Sequence, residues 1–467
     1  MNRPLLINFV LAVLILPVML AGTGCGKSTS SGITTPVSVP VITTDGLISN
    51  LTTTGAVSGG IITSNGNGTI SARGVCYSST DQTPTISDSK TDDTPVVDPE
   101  GTTTFVSTLT GLTAATTYYL RAYATNGAGT AYGAVVKFTT SATLTSINAT
   151  VSTLAGSITA GYQDGSGTNA LFSGPQAVAT DAAGNVYVAD GFNNVIRKVT
   201  PAGVVSTFAG DGNAGFTNGA AATAEFYGPE GIAVDASGNV YVADIGNNVI
   251  RKITAGGVVS TLAGNGTRGY INGAGTVAEF NNPQAVAVDA TGNVYVADRS
   301  NNVIRKITAA GTVTTLAGYY GYPGDTNATG TLAQFNTPQG IAVDASGNVY
   351  VADLENFAIR KITPGGVVTS IAGGPIQTTI IGSPTGIAVD ASNNLFVSDQ
   401  NGRIIEISSA NAVYVIAGAA NTAAFINGAG AGARFNSPQG IAVDASGNIY
   451  VADFNNNAIR KVVITIN

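Results

Sequence analysis

A unit near 54 residues long recurs six times between positions 149 and 467. Each copy reads Pro-x-(Gly/Ala)-(Ile/Val)-Ala-(Val/Thr)-Asp-Ala-x-(Gly/Asn)-Asn, then Tyr-Val-Ala-Asp, then Val-Ile-Arg-Lys, then Val-x-Thr-Leu-Ala-Gly. Its marker prolines are Pro175, Pro229, Pro283, Pro338, Pro384 and Pro438, so the steps are 54, 54, 55, 46 and 54. A period of that size means one supersecondary unit stacked on copies of itself, which constrains the fold more than any composition count.

Each copy holds four β-rich runs, seen in the second at 231–235, 240–244, 249–253 and 258–263. The first two are joined by Asp235-Ala-Ser-Gly238-Asn, where the carboxylate can accept from the turn backbone and the glycine supplies positive φ. The last two are joined by Thr254-Ala-Gly-Gly, another tight hairpin signal. Four antiparallel strands in series make a meander, the blade of a β-propeller. The final copy stops after its third run, and the missing fourth run precedes the first copy as Val151–Gly156. These two pieces are expected to complete one blade and close a ring of six, which removes the exposed edges of an open array.

The composition narrows the chemistry. The chain contains no histidine, which excludes Ser-His-Asp and Cys-His catalysis, imidazole bases and His-ligated zinc together. Its net charge of −7 argues against a nucleic-acid partner, which needs a basic footprint. Cys25 and Cys76 are the two cysteines, too few for a disulfide framework.

Residues 1–24 read as a secretory leader, with Arg3 before an apolar run from Leu5 to Ala21 that is short for a membrane span. The stretch Leu20-Ala-Gly-Thr-Gly-Cys25 resembles a bacterial lipobox, although Gly22 stands where that motif usually has leucine. The resemblance implies lipidation of Cys25 and an envelope-anchored lipoprotein, held to the membrane by its lipid anchor only, at the outer membrane or cell surface. An ordinary cleaved signal and an uncleaved anchor are the alternatives. Residues 25–40 are a Ser/Thr/Gly/Pro tether without hydrophobic periodicity, expected to be flexible.

Residues 41–140 alternate in short runs broken by turn residues, most clearly through Tyr119, Arg121 and Tyr123 against Leu120, Ala122 and Ala124. The run Leu112 to Tyr118 resembles the tyrosine corner of fibronectin type III domains, in which the tyrosine hydrogen-bonds back to the preceding loop. Cys76 reads as a buried strand residue. The repeats at 149–467 resemble the NHL repeat family, through Pro-x-Gly-Ile-Ala-Val-Asp, Gly-Asn-Val-Tyr-Val-Ala-Asp and Asn-Asn-x-Ile-x-Lys. The expected fold is therefore all-β: a fibronectin III-like β-sandwich followed by a six-bladed NHL-type β-propeller. That resemblance implies a binding scaffold, since NHL propellers mostly bind proteins or RNA and a minority of related six-bladed propellers are enzymes.

In such a meander the two tight hairpins share one face, and here they are short and nearly uniform. The opposite face carries the sequence variety, and variable loops on a rigid frame are where binding usually lives. Its candidate ligand-binding residues are Tyr162, Phe192, Asn193, Asn247, Tyr270, Arg299, Asn301, Glu355, Asn401, Phe454 and Asn456. Phe172, Phe226, Phe280, Phe335 and Phe435 recur at one position and are expected to plug blade junctions. The aspartates ending the first and second runs recur in all six copies, so turn capping and pairing with Arg197, Arg251, Arg305, Arg360 and Arg460 explain them better than a calcium ring. The fifth copy departs: its preceding linker is about eight residues shorter, and Gly402-Arg403-Ile-Ile-Glu406 loses the Arg-Lys pair. That reads either as a binding groove or as drift. Two G-x-G-x-x-G matches, at 210–215 and 264–269, lie in linkers with no helix after them and carry no dinucleotide signal.

The expected function is recognition of a protein or glycan at the cell surface by a monomer, without catalytic residues or a cofactor. The alternative is a calcium-dependent propeller enzyme of the lyase or lactonase kind, for which no blade offers an unrepeated carboxylate cluster.

Overall fold

The computed structural model describes residues 36–48, 51–94, 103–140, 147–374 and 381–466. The leader, Cys25, most of the tether and the centre of the short linker before Pro384 lie outside the described residues.

The first group of strands forms two sheets. Val41–Thr44, Gly55–Ser64 and Thr103–Thr110 pair in one. Ser89–Lys90, Ala72–Ser78, Thr117–Asn126, Gly129–Tyr132 and Val136–Thr139 make the other. Between them Ile62, Val75, Leu109 and Leu120 are buried. The alternation read around Leu120 and Ala122 puts both into that core. The Tyr118 hydroxyl accepts from the Thr113 amide at 3.0 Å, a corner of the kind the sequence suggested. Cys76 is buried, its Sγ donating to Pro84 O at 3.2 Å, and burial pushes the thiol up to about 11 against the pull of Arg121. A thiol held protonated is a poor nucleophile.

From Ile147 onward the chain forms six meander sheets, each begun by a marker proline. The first sheet runs Pro175–Thr180, Val186–Asp190, Val195–Val199 and Val204–Ala209, and the order repeats in the others. Every residue of the second strand is buried in all six, because sheets pack against both of its faces. The turn before it is closed by its aspartate: Asp181 Oδ1 accepts from the amides of Ala183 and Asn185 at 3.0 and 2.9 Å.

The sixth sheet is completed by the strand before the first copy. Ile147–Gly156 pairs antiparallel with Ala458–Ile466 from Gly156–Ala458 to Ile147–Ile466, with one bulge between Ile459 and Arg460. The innermost strands of neighbouring sheets touch in an unbroken cycle, with Pro438–Val443 against Pro175–Thr180. Glycine permits that approach: a Cβ at Gly440 would lie 2.5 Å from Ala177 Cα. Two-residue strands at Gly165–Ser166, Gly219–Ala220, Gly273–Ala274 and Gly428–Ala429 add a fifth, outermost member to four sheets. The sequence did not announce them, since two residues are too few to show a period.

The two groups of sheets meet at the fifth meander. Ala412, in its outer hairpin, belongs to the core of the first group, and Tyr414 packs against both that core and the core between the fifth and sixth sheets.

Candidate functional site

The second strand of five sheets ends in an aspartate that holds a buried polar node. In the third sheet Asp298 Oδ1 accepts from the Asn281 amide, and Oδ2 accepts from Asn301 Nδ2 at 2.8 Å and Arg305 at 2.7 Å. The same guanidinium donates to Glu279 O, Ile271 O and Asn272 Oδ1. Asp190–Arg197, Asp244–Arg251, Asp353–Arg360 and Asp453–Arg460 repeat the pair, with all these side chains fully buried. Burial pushes the carboxyls of Asp298 and Asp353 up to about 6 against the pull of their arginines.

Aromatic rings cover these cations. Arg251 lies between Phe226 and Phe216, Arg305 between Phe280 and Tyr270, Arg197 between Phe172 and Tyr162. The recurring phenylalanines are fully buried, as their periodicity implied.

The nodes account for several candidates. Nδ2 of Asn193, Asn247, Asn301 and Asn456 donates to the node aspartate and to a linker carbonyl. These Nδ2 groups are therefore engaged within the repeat. Their recurrence in one register was the signal. Tyr162 and Tyr270 likewise roof the arginines, with their hydroxyls bonded to Thr207 and Thr315 at 3.0 and 2.7 Å.

What remains is the rim. Short 3-10 turns at Gly191–Asn193, Ile245–Asn247, Arg299–Asn301, Leu354–Asn356 and Phe454–Asn456 follow the second strands and surround one mouth of the central channel. Their first residues differ in every sheet, unlike the nodes beneath them. Phe192, 67 % exposed, meets Phe454 edge to face at 5.6 Å over Gly174. Glu355 is exposed, and Asn401 lies in a shallow hollow with Asn421 and Asn436.

Inside the mouth stands a ring the sequence reading missed: Gln176, Glu230, Gln284, Gln339, Thr385 and Gln439, each directly after a marker proline. Gln284 donates to the Glu230 carboxylate, and Arg299 reaches Gln284 Oε1 at 3.5 Å. Burial pushes the Glu230 carboxyl up, against the pull of Gln284 and Arg299. Thr385, shorter than glutamine and turned onto Pro438 O, lets Gln339 bond Gln439 past it at 2.9 Å. The ring leaves a cavity of about 60 Å³, room for a few waters and not for a sugar or peptide. Among the described residues no group of three carboxylates or thiols is placed to hold a metal ion.

The NHL repeat family model matches residues 280–307, 335–362 and 435–462, and the teneurin NHL domain model matches 209–275. The chain is 27 % identical over 277 residues to the Arabidopsis thaliana protein SUPPRESSOR OF QUENCHING 1, chloroplastic, covering 54 % of this chain and 26 % of that protein. It is 28 % identical over 232 residues to teneurin-3 of Danio rerio, covering 42 % of this chain and 8 % of that protein. It thus spans about a quarter or less of these relatives' lengths. A structural genomics protein of unknown function from Bacteroides thetaiotaomicron superposes with a TM-score of 0.53 at 19 % identity, over 93 % of this chain and 99 % of that one. At that identity the likeness concerns the fold alone. The chain carries NHL repeats on an all-β, propeller-like fold of repeated four-stranded sheets.

Proposed function

We propose that the chain is an envelope-anchored, non-catalytic recognition protein: a six-bladed NHL-type propeller at 149–467, carried by a fibronectin III-like domain at 41–140, a tether at 25–40 and a lipid on Cys25. Its propeller takes a protein or glycan on the rim of turns around the channel mouth. The observation that supports this reading most is the contrast between the two faces. The tight hairpins repeat one aspartate-capped turn, whereas the rim presents Gly191, Ile245, Arg299, Leu354, Gln400 and Phe454 at equivalent positions. Rigid frames concentrate binding in such variable loops.

The test uses the full chain as bait against envelope and secreted fractions of its host, beside a Phe192→Ala, Arg299→Ala, Phe454→Ala variant. Phe192 and Phe454 lie outside the buried nodes, while Arg299 neighbours the buried Glu230 carboxyl, so the melting temperature of the variant is measured beside the parent's. A partner retained by the parent and lost by the variant supports the rim. Equal capture by both overturns it. The anchor is tested separately, by the loss of radiolabelled palmitate incorporation in Cys25→Ala.

A further inference from the structure

One junction carries aromatic surface that the fold does not need. In the third sheet Phe280 and Tyr270 enclose the Arg305 guanidinium, at 5.1 and 4.9 Å from the ring centroids. Equivalent columns at Arg197, Arg251 and Arg460 end at Tyr162, Phe216 and Phe425, and among the described residues no further ring stacks on those three. Here a fourth layer is added: Tyr320 lies on Tyr270 with centroids 4.1 Å apart and planes 4° from parallel.

Tyr320 is 47 % exposed although one ring face is covered by Tyr270, so its other face is open to solvent. It sits on the turn Tyr319-Tyr-Gly-Tyr322, closed by the Tyr322 amide on Tyr319 O at 3.1 Å. The same turn bears a second stacked pair, Tyr319 on Tyr322 at 4.6 Å, with Tyr322 59 % exposed. Gly321 donates its amide to Asn301 O, which ties the turn to the rim beside Arg299. No other linker of the repeat places three tyrosines here, so the repeat period does not explain them.

We propose that this tyrosine turn is a stacking platform for a pyranose unit of a neutral glycan, an inference that rests on the rim reading above and names its ligand class. Tyrosine supplies a rigid, flat apolar face with a hydroxyl at its edge, at low cost in side-chain entropy. A pyranose is its complement: C–H bonds cover one face of the sugar and hydroxyls surround its perimeter. The platform is one-sided and parallel-stacked, unlike the several rings that must enclose a quaternary ammonium. The chain's net charge of −7 disfavours a polyanion such as a nucleic acid.

The experiment is affinity electrophoresis of the full chain in native gels cast with xylan, glucomannan, mixed-linkage glucan or starch. Retardation is expected in at least one gel, with the dissociation constant rising at least tenfold in Tyr320→Ala and less than threefold in Tyr320→Phe, which keeps the ring. Circular dichroism confirms the fold of each variant. Free migration of the parent in every gel, or equal retardation of Tyr320→Ala, overturns the platform, as does an equal loss in Tyr320→Phe. Tyr320-dependent binding of a decaproline peptide without any polysaccharide overturns the ligand class. The rim variant runs alongside. If it alone loses the polysaccharide, the platform fails and the rim reading stands; if both variants bind as the parent does, both fail.

Discussion

Arg403 supplies to Asp399, from two positions earlier in its strand, the ion pair that the other five sheets draw from the arginine Ile405 has replaced. Its Nε donates to Asp399 Oδ2 at 2.7 Å, and the aspartate is fully buried. Asp399 faces Arg403 in the strand ladder, where the first sheet pairs Asp190 with Val195. The fifth copy thus conserves the charge balance of the node while losing its sequence signature.

Removing that guanidinium leaves a buried carboxylate without a cation. Arg403→Leu should cost about 3–5 kcal/mol, read from urea unfolding. The double variant Arg403→Val, Ile405→Arg restores the arrangement of the other sheets and should recover most of the loss. A cost below about 1 kcal/mol for the single variant would show that Asp399 is satisfied by its backbone donors alone.

The nodes also differ in how many rings cover them. Arg305 has Phe280 and Tyr270, whereas Arg360 has Phe335 among the described residues. Lysine keeps the charge but loses the planar fork, so Arg305→Lys should destabilise by about 2–4 kcal/mol. Arg360→Lys should cost about 0.5–1 kcal/mol less, the worth of one cation–π contact. Equal costs in a denaturant titration would assign the whole effect to hydrogen bonds.

Much of this was legible because six copies pose the same problem and five share one solution. A residue that recurs in register with a fixed partner, as Asp298 does with Arg305, declares a structural role before any coordinates are seen. The same logic applied to Asn193 and Asn301 would have marked their bonds to the node aspartates. What stayed hidden depends on contacts between copies or between domains. Nothing in the dipeptides after the marker prolines shows that Gln339 and Gln439 meet across the channel, because the two lie a hundred residues apart and Thr385 must first step aside. Ala412, one more small residue near a turn, shows its role only when a second domain covers it.

The stability lost to acid should come from the hairpin face, since the node carboxyls, raised by burial, take up their protons more readily folded than unfolded. Burial alone would raise the Asp289 carboxyl, but hydrogen bonds from Asn293, Thr291 and their amides overcome it and hold the group down to about 2. Asp235, Asp344 and Asp444 are lowered in the same way. At these four carboxyls the folded state then binds fewer protons than the unfolded chain below about pH 4, so their stabilisation is complete above that pH and is lost between about pH 4 and 2. Asp289→Asn keeps the turn's acceptor oxygen and removes the titration. Its melting temperature should fall less than the parent's between pH 5 and 3, and parallel curves would remove Asp289 from the acid response.

The outer hairpin of the fifth copy departs from the others where the N-terminal sheets sit on it. Ala412 is 3 % exposed within the core of the N-terminal sheets, while Val258 at the equivalent place in the second sheet is 53 % exposed. Tyr414 stands where the first three sheets have Ser206, Ser260 and Thr314, and it packs against cores on both sides. A shared core of this kind couples the unfolding of two domains. Ala412→Arg inserts bulk and charge into it, at about 1–3 kcal/mol for overpacking alone, and should split a single calorimetric transition into two. Val258→Arg, the same change on an open hairpin, should leave the transition whole. If Ala412→Arg melts as the parent does, the two domains unfold independently.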